Sequence, residues 1–178
     1  MATTHALDAV ARRFGVPLYE TPVGFKFIGE KLIAGEIVFG AEESAGLTVQ
    51  GHVPEKDGIL ADLLVAEMTG ATAKTLSALS EDLEREIGPF ETTRLDLALS
   101  PEARAALQKR RASPPERFAG RKVASVNELD GLKLLLEDGS WILVRESGTE
   151  PVARVYAESR SPGESASLAR AGEELLKA

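Results

Sequence analysis

The sequence predicts a mixed fold: a truncated parallel α/β unit over residues 1–88, then a small α+β unit over 89–178 whose antiparallel sheet carries packed helices. Three observations predict it. Up to residue 88, helical periodicities alternate with short apolar runs, the pattern of a parallel sheet with crossover helices. Gly88-Pro89 then interrupts the chain, a strong turn and boundary signal. Beyond it, apolar runs are separated by Asp130-Gly131 and Asp138-Gly139, residue pairs that suit the tight turns of antiparallel hairpins.

In the first unit, Leu7, Val10, Ala11 and Phe14 recur at i, i+3, i+4 and i+7, so residues 4–14 read as an amphipathic helix with Thr3 or Thr4 as cap and Gly15 as stop. Residues 16–20 read as a short strand, 25–34 as a short helix and 36–40 as a buried strand. Asp57 is placed to cap a helix over 59–68, apolar over much of its surface and therefore expected to be buried. Leu76, Leu79, Leu83 and Ile87 mark another helix that closes at Gly88.

In the second unit, residues 94–99 alternate like a half-exposed strand. Ser100-Pro101-Glu102 supplies a cap, a proline at the first helical position and an acid in the first turn, opening a helix to about Arg111. After the break at Ser113-Pro114-Pro115, strands are expected near 121–128, 131–137, 140–145 and 152–159. Ser161-Pro162-Gly163-Glu164 reads as a capping box for a last helix, whose Leu168, Gly172, Leu175 and Leu176 share a face.

Composition narrows the function. With 178 residues and 43% hydrophobic content, the chain can build one core or two small ones. A formal charge of -7 with scattered Lys and Arg argues against general nucleic-acid binding. The lack of cysteine removes disulfides and thiolate metal sites and fits a reducing compartment. No run approaches the ~20 apolar residues of a membrane span, and Met1-Ala2-Thr3-Thr4-His5 is unlike a signal peptide. A soluble, cytoplasmic protein without membrane contact is expected. His5 and His52 lack a carboxylate or second histidine at ligand spacing, so both read as structural or exposed and no metal site is expected.

Chemistry concentrates in Arg145-Glu146-Ser147-Gly148-Thr149-Glu150-Pro151, flanked by apolar runs. A guanidinium, two hydroxyls and a glycine in one turn can cradle an anion, although Ser, Gly and Thr also make ordinary hairpin loops. Arg154 lies on the following strand, where it can face that anion or pair with a cross-strand acid. Alternation from Arg145 points Glu146 the other way. Upstream, Phe39-Gly40-Ala41-Glu42-Glu43-Ser44-Ala45-Gly46 offers Glu42 and Ser44, which alternation in a strand end sets on one side, as a pair able to hold a vicinal diol; a helix cap with a solvated acidic pair is the other reading. Lys26, in Gly24-Phe25-Lys26, is either a solvated surface group or a cation at a cleft.

Arg-x-Ser-Gly-Thr-Glu-Pro, followed by Arg154-Val155-Tyr156-Ala157-Glu158, resembles the C-terminal phosphate-binding loop of the phosphoglucomutase/phosphomannomutase family. The segment from Phe39 to Gly46 resembles that family's sugar-recognition loop, above all in its glucose-type members. The resemblance covers most of residues 3–178 and matches the last two of the family's domains, the first of them without its opening strand. It implies that Arg145, Ser147, Gly148, Thr149 and Arg154 bind phosphate and that Glu42, Ser44 and Lys26 contact the sugar. It further implies a glucose phosphate substrate, interconverted through a phosphoserine and a bisphosphate intermediate. The family's Thr-Ala-Ser-His-Asn-Pro motif and its Asp-rich magnesium loop are absent, so the resemblance implies that missing N-terminal domains carry catalysis and magnesium, and that this chain alone is inactive. A non-catalytic phosphosugar-binding or interaction module is the alternative. The sequence departs from the family at Ala41, usually glycine, where a positive φ would be strained, and at Glu146.

Overall fold

The structure, a computed structural model, describes residues 1–177. The chain forms two compact units, Ala2–Gly88 and the residues from Pro89 onward together with Met1.

The first unit holds four helices and one hairpin. Helix α1 (Ala6–Phe14) ends at Gly15, whose φ of 65° is the left-handed stop that glycine accommodates. Thr4 Oγ1 accepts from the Ala6 N–H at 3.0 Å, so this threonine serves the first turn. Helix α2 (Phe25–Ile33) buries Phe25, Ile28, Gly29 and Leu32. Strands β1 (Phe39–Ala41) and β2 (Leu47–Val49) pair antiparallel, with Phe39 opposite Val49. Asp57 caps α3 (Gly58–Thr72) by accepting from Ile59 and Leu60, and Thr75 caps α4 (Leu76–Ile87) by accepting from Ala78. Arg13 and Glu86 join α1 to α4 at 2.6 Å.

Helices and strands mix as expected, but the parallel pairing does not form among the described residues. Residues 16–20 belong to no ladder. The strand expected over 36–40 begins only at Phe39, runs in the antiparallel hairpin and is not buried: Val38 and Phe39 are 67% and 49% exposed. Helix α3 has no buried residue, and Ile59 and Leu63 are 75% and 64% exposed. The cause is common to all of them. A parallel strand needs a neighbour delivered by a crossover, and the helices of an α/β unit bury their apolar stripes against such a sheet; no such sheet lies beside these segments among the described residues.

The second unit is a six-stranded antiparallel sheet. Its elements are β3 (Glu91–Ala98), α5 (Pro101–Ala112), β4 (Arg117–Phe118), β5 (Arg121–Asn127), β6 (Leu132–Leu136), β7 (Trp141–Glu146), β8 (Val152–Ser159), α6 (Pro162–Gly172) and a 3₁₀ turn (Glu173–Leu176), with strand order β3-β8-β7-β6-β5-β4. Asp130-Gly131 turns β5 into β6 and Asp138-Gly139 turns β6 into β7, both glycines at positive φ. Alternation then splits the sheet. Ile142 and Val144 of β7 and Ala153, Val155 and Ala157 of β8 join the helix-side core with Leu107, Leu168, Leu175 and Leu176. Trp141, Leu143, Arg145, Arg154, Tyr156 and Glu158 therefore occupy the other face.

Two caps differ in outcome. Ser100 accepts from the Ala103 N–H at 3.2 Å, with Pro101 at the first helical position, as expected. Ser161 makes no side-chain cap, so the capping box does not form. Its N–H is held by Ser159 Oγ at 3.1 Å, and Glu164 is drawn into an ion pair with Arg121 instead of reaching back.

Helix α6 reaches the sheet through Gly172, where an added Cβ would stand 2.5 Å from Ile142 Cδ1 and 2.7 Å from Val155 Cγ1. Gly172→Val is expected to destabilise the second unit by about 1–3 kcal/mol through overpacking. Urea unfolding measures it, and an unchanged midpoint would contradict this packing.

Candidate functional site

Strands β7 and β8 are joined by a short loop that closes with the Ser147 N–H donating to Val152 O at 2.9 Å. Their register sets Arg145 directly opposite Arg154. Two like charges at opposed positions repel unless anions lie near them. Each arginine is paired with an acid. Arg145, with a side chain only 9% exposed, donates from Nε to Asp130 Oδ2 at 3.1 Å, and Arg154 pairs through a terminal nitrogen with Glu150. Arg154 Nε is itself buried and has no hydrogen-bond partner. A buried, unsatisfied N–H on a guanidinium is costly and calls for an explanation.

On its other side Arg154 lies opposite Asp96 of β3. Arg94 forks onto Asp96 at 2.8 and 2.7 Å, and this bond first, then the charges of Arg94 and Arg154, holds the Asp96 carboxyl below its ordinary range. Arg154 thus pairs with Glu150 of the loop, its cross-strand neighbour Asp96 being held by Arg94, and on its other side it lies opposite Arg145.

The loop between the two arginines is open. Gly148 and Thr149 are exposed and Ser147 is half-buried, its Oγ accepting a long 3.4 Å bond from the Thr149 N–H. Gly148 is not at positive φ, and a Cβ built on it meets nothing within 4 Å. Neither backbone strain nor a protein neighbour requires glycine there. Glu146 points away from Arg145, as alternation predicts, and pairs with Arg104 of α5 at 3.0 Å.

In the first unit, residues 42–46 form the turn of the β1–β2 hairpin, with the Ala45 N–H donating to Glu42 O at 3.1 Å and the Glu42 N–H to Gly46 O at 2.9 Å. The expectation that strand alternation aligns Glu42 and Ser44 fails here, because the chain turns between them. Glu42 sits half-buried at the base of the turn and Ser44 is exposed at its tip. No helix follows directly, which disposes of the cap reading. Ala41 is not at positive φ; the strain falls on Ala45, at φ 66°.

Sequence reasoning misses Lys56, because capping already accounts for its neighbour Asp57. Its Nζ lies 3.5 Å from Glu42 Oε2 and 5.6 Å from the centre of the Phe25 ring, so it brings the hairpin turn to the start of α2. Lys26, the next residue on α2, is exposed, with its Nζ 4.7 Å over the Phe27 ring. His52 does have a carboxylate partner: its Nε2 lies 2.9 Å from Asp57 Oδ2. That pairing joins residues five apart across a loop, a separation that helical or strand spacing rules do not register. Asp130, which holds Arg145, reads in the sequence only as a turn residue. Among the described residues no cluster of three His, Asp or Glu side chains could hold a metal ion.

Comparison with known proteins follows these two loops. Residues 1–87 match the model of phosphoglucomutase/phosphomannomutase alpha/beta/alpha domain III, and residues 101–174 match that of the C-terminal domain. The chain belongs to the phosphoglucomutase/phosphomannomutase family. It is 38% identical over 176 residues to a phosphoglucomutase of Komagataeibacter xylinus, an alignment covering 89% of this chain and 31% of that protein. Against a phosphoglucomutase/phosphomannomutase of Thermococcus kodakarensis the identity is 28%, covering 99% of this chain and 37% of the relative. A solved structure from Thermus thermophilus, named as a phosphomannomutase, superposes with a TM-score of 0.76 at 32% identity, over 99% of this chain and 35% of that one. The chain therefore spans about a third of the length of these relatives. No helix among the described residues is long and apolar enough to cross a membrane.

Asp57 supplies a pH test. The hydrogen bond from His52, then the Leu60 and Ile59 amides, hold its carboxyl below the ordinary range. A depressed carboxyl supports the fold fully above the ordinary carboxylate value and loses that support as pH falls through the depressed one. Carboxyl carbon NMR is expected to place its midpoint below that of an aspartate in an unstructured peptide; an equal or higher midpoint would contradict the contact.

Proposed function

We propose that this chain is the substrate-binding C-terminal portion of a phosphohexomutase that interconverts glucose 1-phosphate and glucose 6-phosphate. One observation carries the reading: Arg145 and Arg154 lie opposite each other on β7 and β8, Arg154 has a buried unsatisfied N–H, and the open Ser147-Gly148-Thr149 loop joins the two strands. A phosphate dianion answers each feature. It neutralises two opposed cations, accepts from the orphan Arg154 Nε and from the loop hydroxyls, and approaches a backbone that Gly148 leaves unobstructed. Glu42 and Ser44 would take sugar hydroxyls, with Lys26 as a further donor, and the proximity of the Lys56 ammonium to Glu42 supports a polar role for that turn.

In such an enzyme a phosphoserine transfers its phosphoryl group to the free hydroxyl of the sugar phosphate. The bisphosphate then returns its other phosphoryl group to the serine. The phosphate held at Arg145 is the one not being transferred, so this chain contributes positioning, a large share of phosphoryl-transfer catalysis. The serine and the magnesium ion belong to N-terminal domains outside this sequence, and in their absence the chain is inactive. The family membership, the length of the relatives and the apolar surface left on α3 support this division of labour, and the cysteine-free, acidic composition supports a cytosolic site.

Arg145→Ala is expected to weaken glucose 1-phosphate binding by roughly 1.5–3 kcal/mol, the range of charge-assisted hydrogen bonds to a charged partner. An NMR titration of the labelled chain, following amides 42–46 and 145–149, measures it. Unchanged affinity in a folded variant would sink the phosphate role.

A further inference from the structure

Arg145 does not hold its place unaided. A surface arginine samples many rotamers, and each one lost on binding subtracts from affinity. Here the guanidinium is held from the neighbouring hairpin, and that hairpin lies tight against the strand that carries it. Leu132 lies opposite Val144 in the β6–β7 register, so Gly131, one residue earlier, falls against Arg145. A Cβ on Gly131 would stand 2.5 Å from Val144 O and 2.8 Å from Arg145 Cβ. Its φ of 108° excludes other residues a second time. Only glycine brings the turn this close, and the residue that the turn delivers is Asp130, with Oδ2 3.1 Å from Arg145 Nε.

The atom that Asp130 engages matters. Nε lies at the inner edge of the guanidinium, so a bond there fixes the plane of the group while occupying one of its five N–H donors. We propose that Asp130, delivered by the Gly131 turn, is the positioning residue that presents Arg145 to a phosphate. This rests on the phosphate reading of the β7–β8 loop. The acid on the facing arginine is a different case: Glu150 is 57% exposed and reaches Arg154 from the loop itself, so solvent competes for it.

Position and charge can be separated. Asp130→Asn keeps an oxygen at the same place, able to accept from Nε, without the charge. Asp130→Glu keeps the charge and displaces it by one methylene. If Asp130 acts by position, Asp130→Asn is expected to bind glucose 1-phosphate within about threefold of the parent chain, and Asp130→Glu and Asp130→Ala about tenfold more weakly, the scale of one charge-assisted hydrogen bond. The Arg145 Nε–H resonance reports placement directly. It should keep its folded shift in Asp130→Asn and move toward that of exposed arginines in Asp130→Glu.

Affinity lost equally in Asp130→Asn and Asp130→Ala, or retained in Asp130→Glu with an unmoved Nε–H resonance, would overturn the proposal. The Glu and Asn variants remain informative if Asp130→Ala does not fold. Arg145→Ala run alongside separates the two readings. If it binds as the parent does, or if the parent does not bind, the phosphate reading falls and the positioning role with it. If it weakens binding while every Asp130 variant binds as the parent does, only the positioning role falls.

Discussion

Antiparallel pairing fixes which residue of one strand meets which residue of the next, and in β7 and β8 that rule opposes Arg145 to Arg154. Most features of the second unit's polar face answer this placement. Asp130 comes up from one hairpin to hold the first arginine and Glu150 reaches from the loop to the second, while Asp96 lies beside it on β3. Glycine stands at 131 because the Asp130 turn must touch the arginine stem. On the opposite face, the same alternation sends Ile142, Val144, Val155 and Ala157 into the core under α6, so the packing that stabilises the unit also aims the arginines.

Much of the second unit was legible because its signals are local. Asp-Gly turns, a serine cap followed by proline, and alternating apolar residues act within a few positions of themselves, and no distant segment had to be guessed. The β7–β8 loop stood out for the same reason, since Arg145, Ser147, Gly148 and Thr149 lie within five residues. Asp130 was not. Its role depends on the β6–β7 register, and a turn signal explains an Asp-Gly pair without hinting at what the carboxylate touches.

The first unit shows what periodicity leaves out. Residues 16–20, 36–40 and the helix after Asp57 have the apolar content of buried elements, and the structure leaves Leu18, Val38, Ile59 and Leu63 on the surface. Such patterns record a segment's capacity to be buried; they do not say whether a covering partner is present. The Glu42 turn failed for a smaller reason. Alternation holds only in extended chain, and two adjoining short strands leave room for a turn that breaks it. His52 and Asp57, five apart, met through the same kind of loop geometry.

Gly131 also bears on how this surface can diverge. A glycine kept only for a turn can drift to asparagine or be relocated by a longer loop. This one is hemmed in by Val144 O and by the Cα and Cβ of residue 145, atoms that any residue except glycine would keep there, so a side chain can enter only if the strand behind it moves. Gly131 is therefore tied to the backbone of β7, whereas Asp130 is tied to the arginine side chain itself. In a descendant that no longer needs the arginine, Asp130 would be released to vary while Gly131 stayed, and the loss would be written first into that one position of the turn.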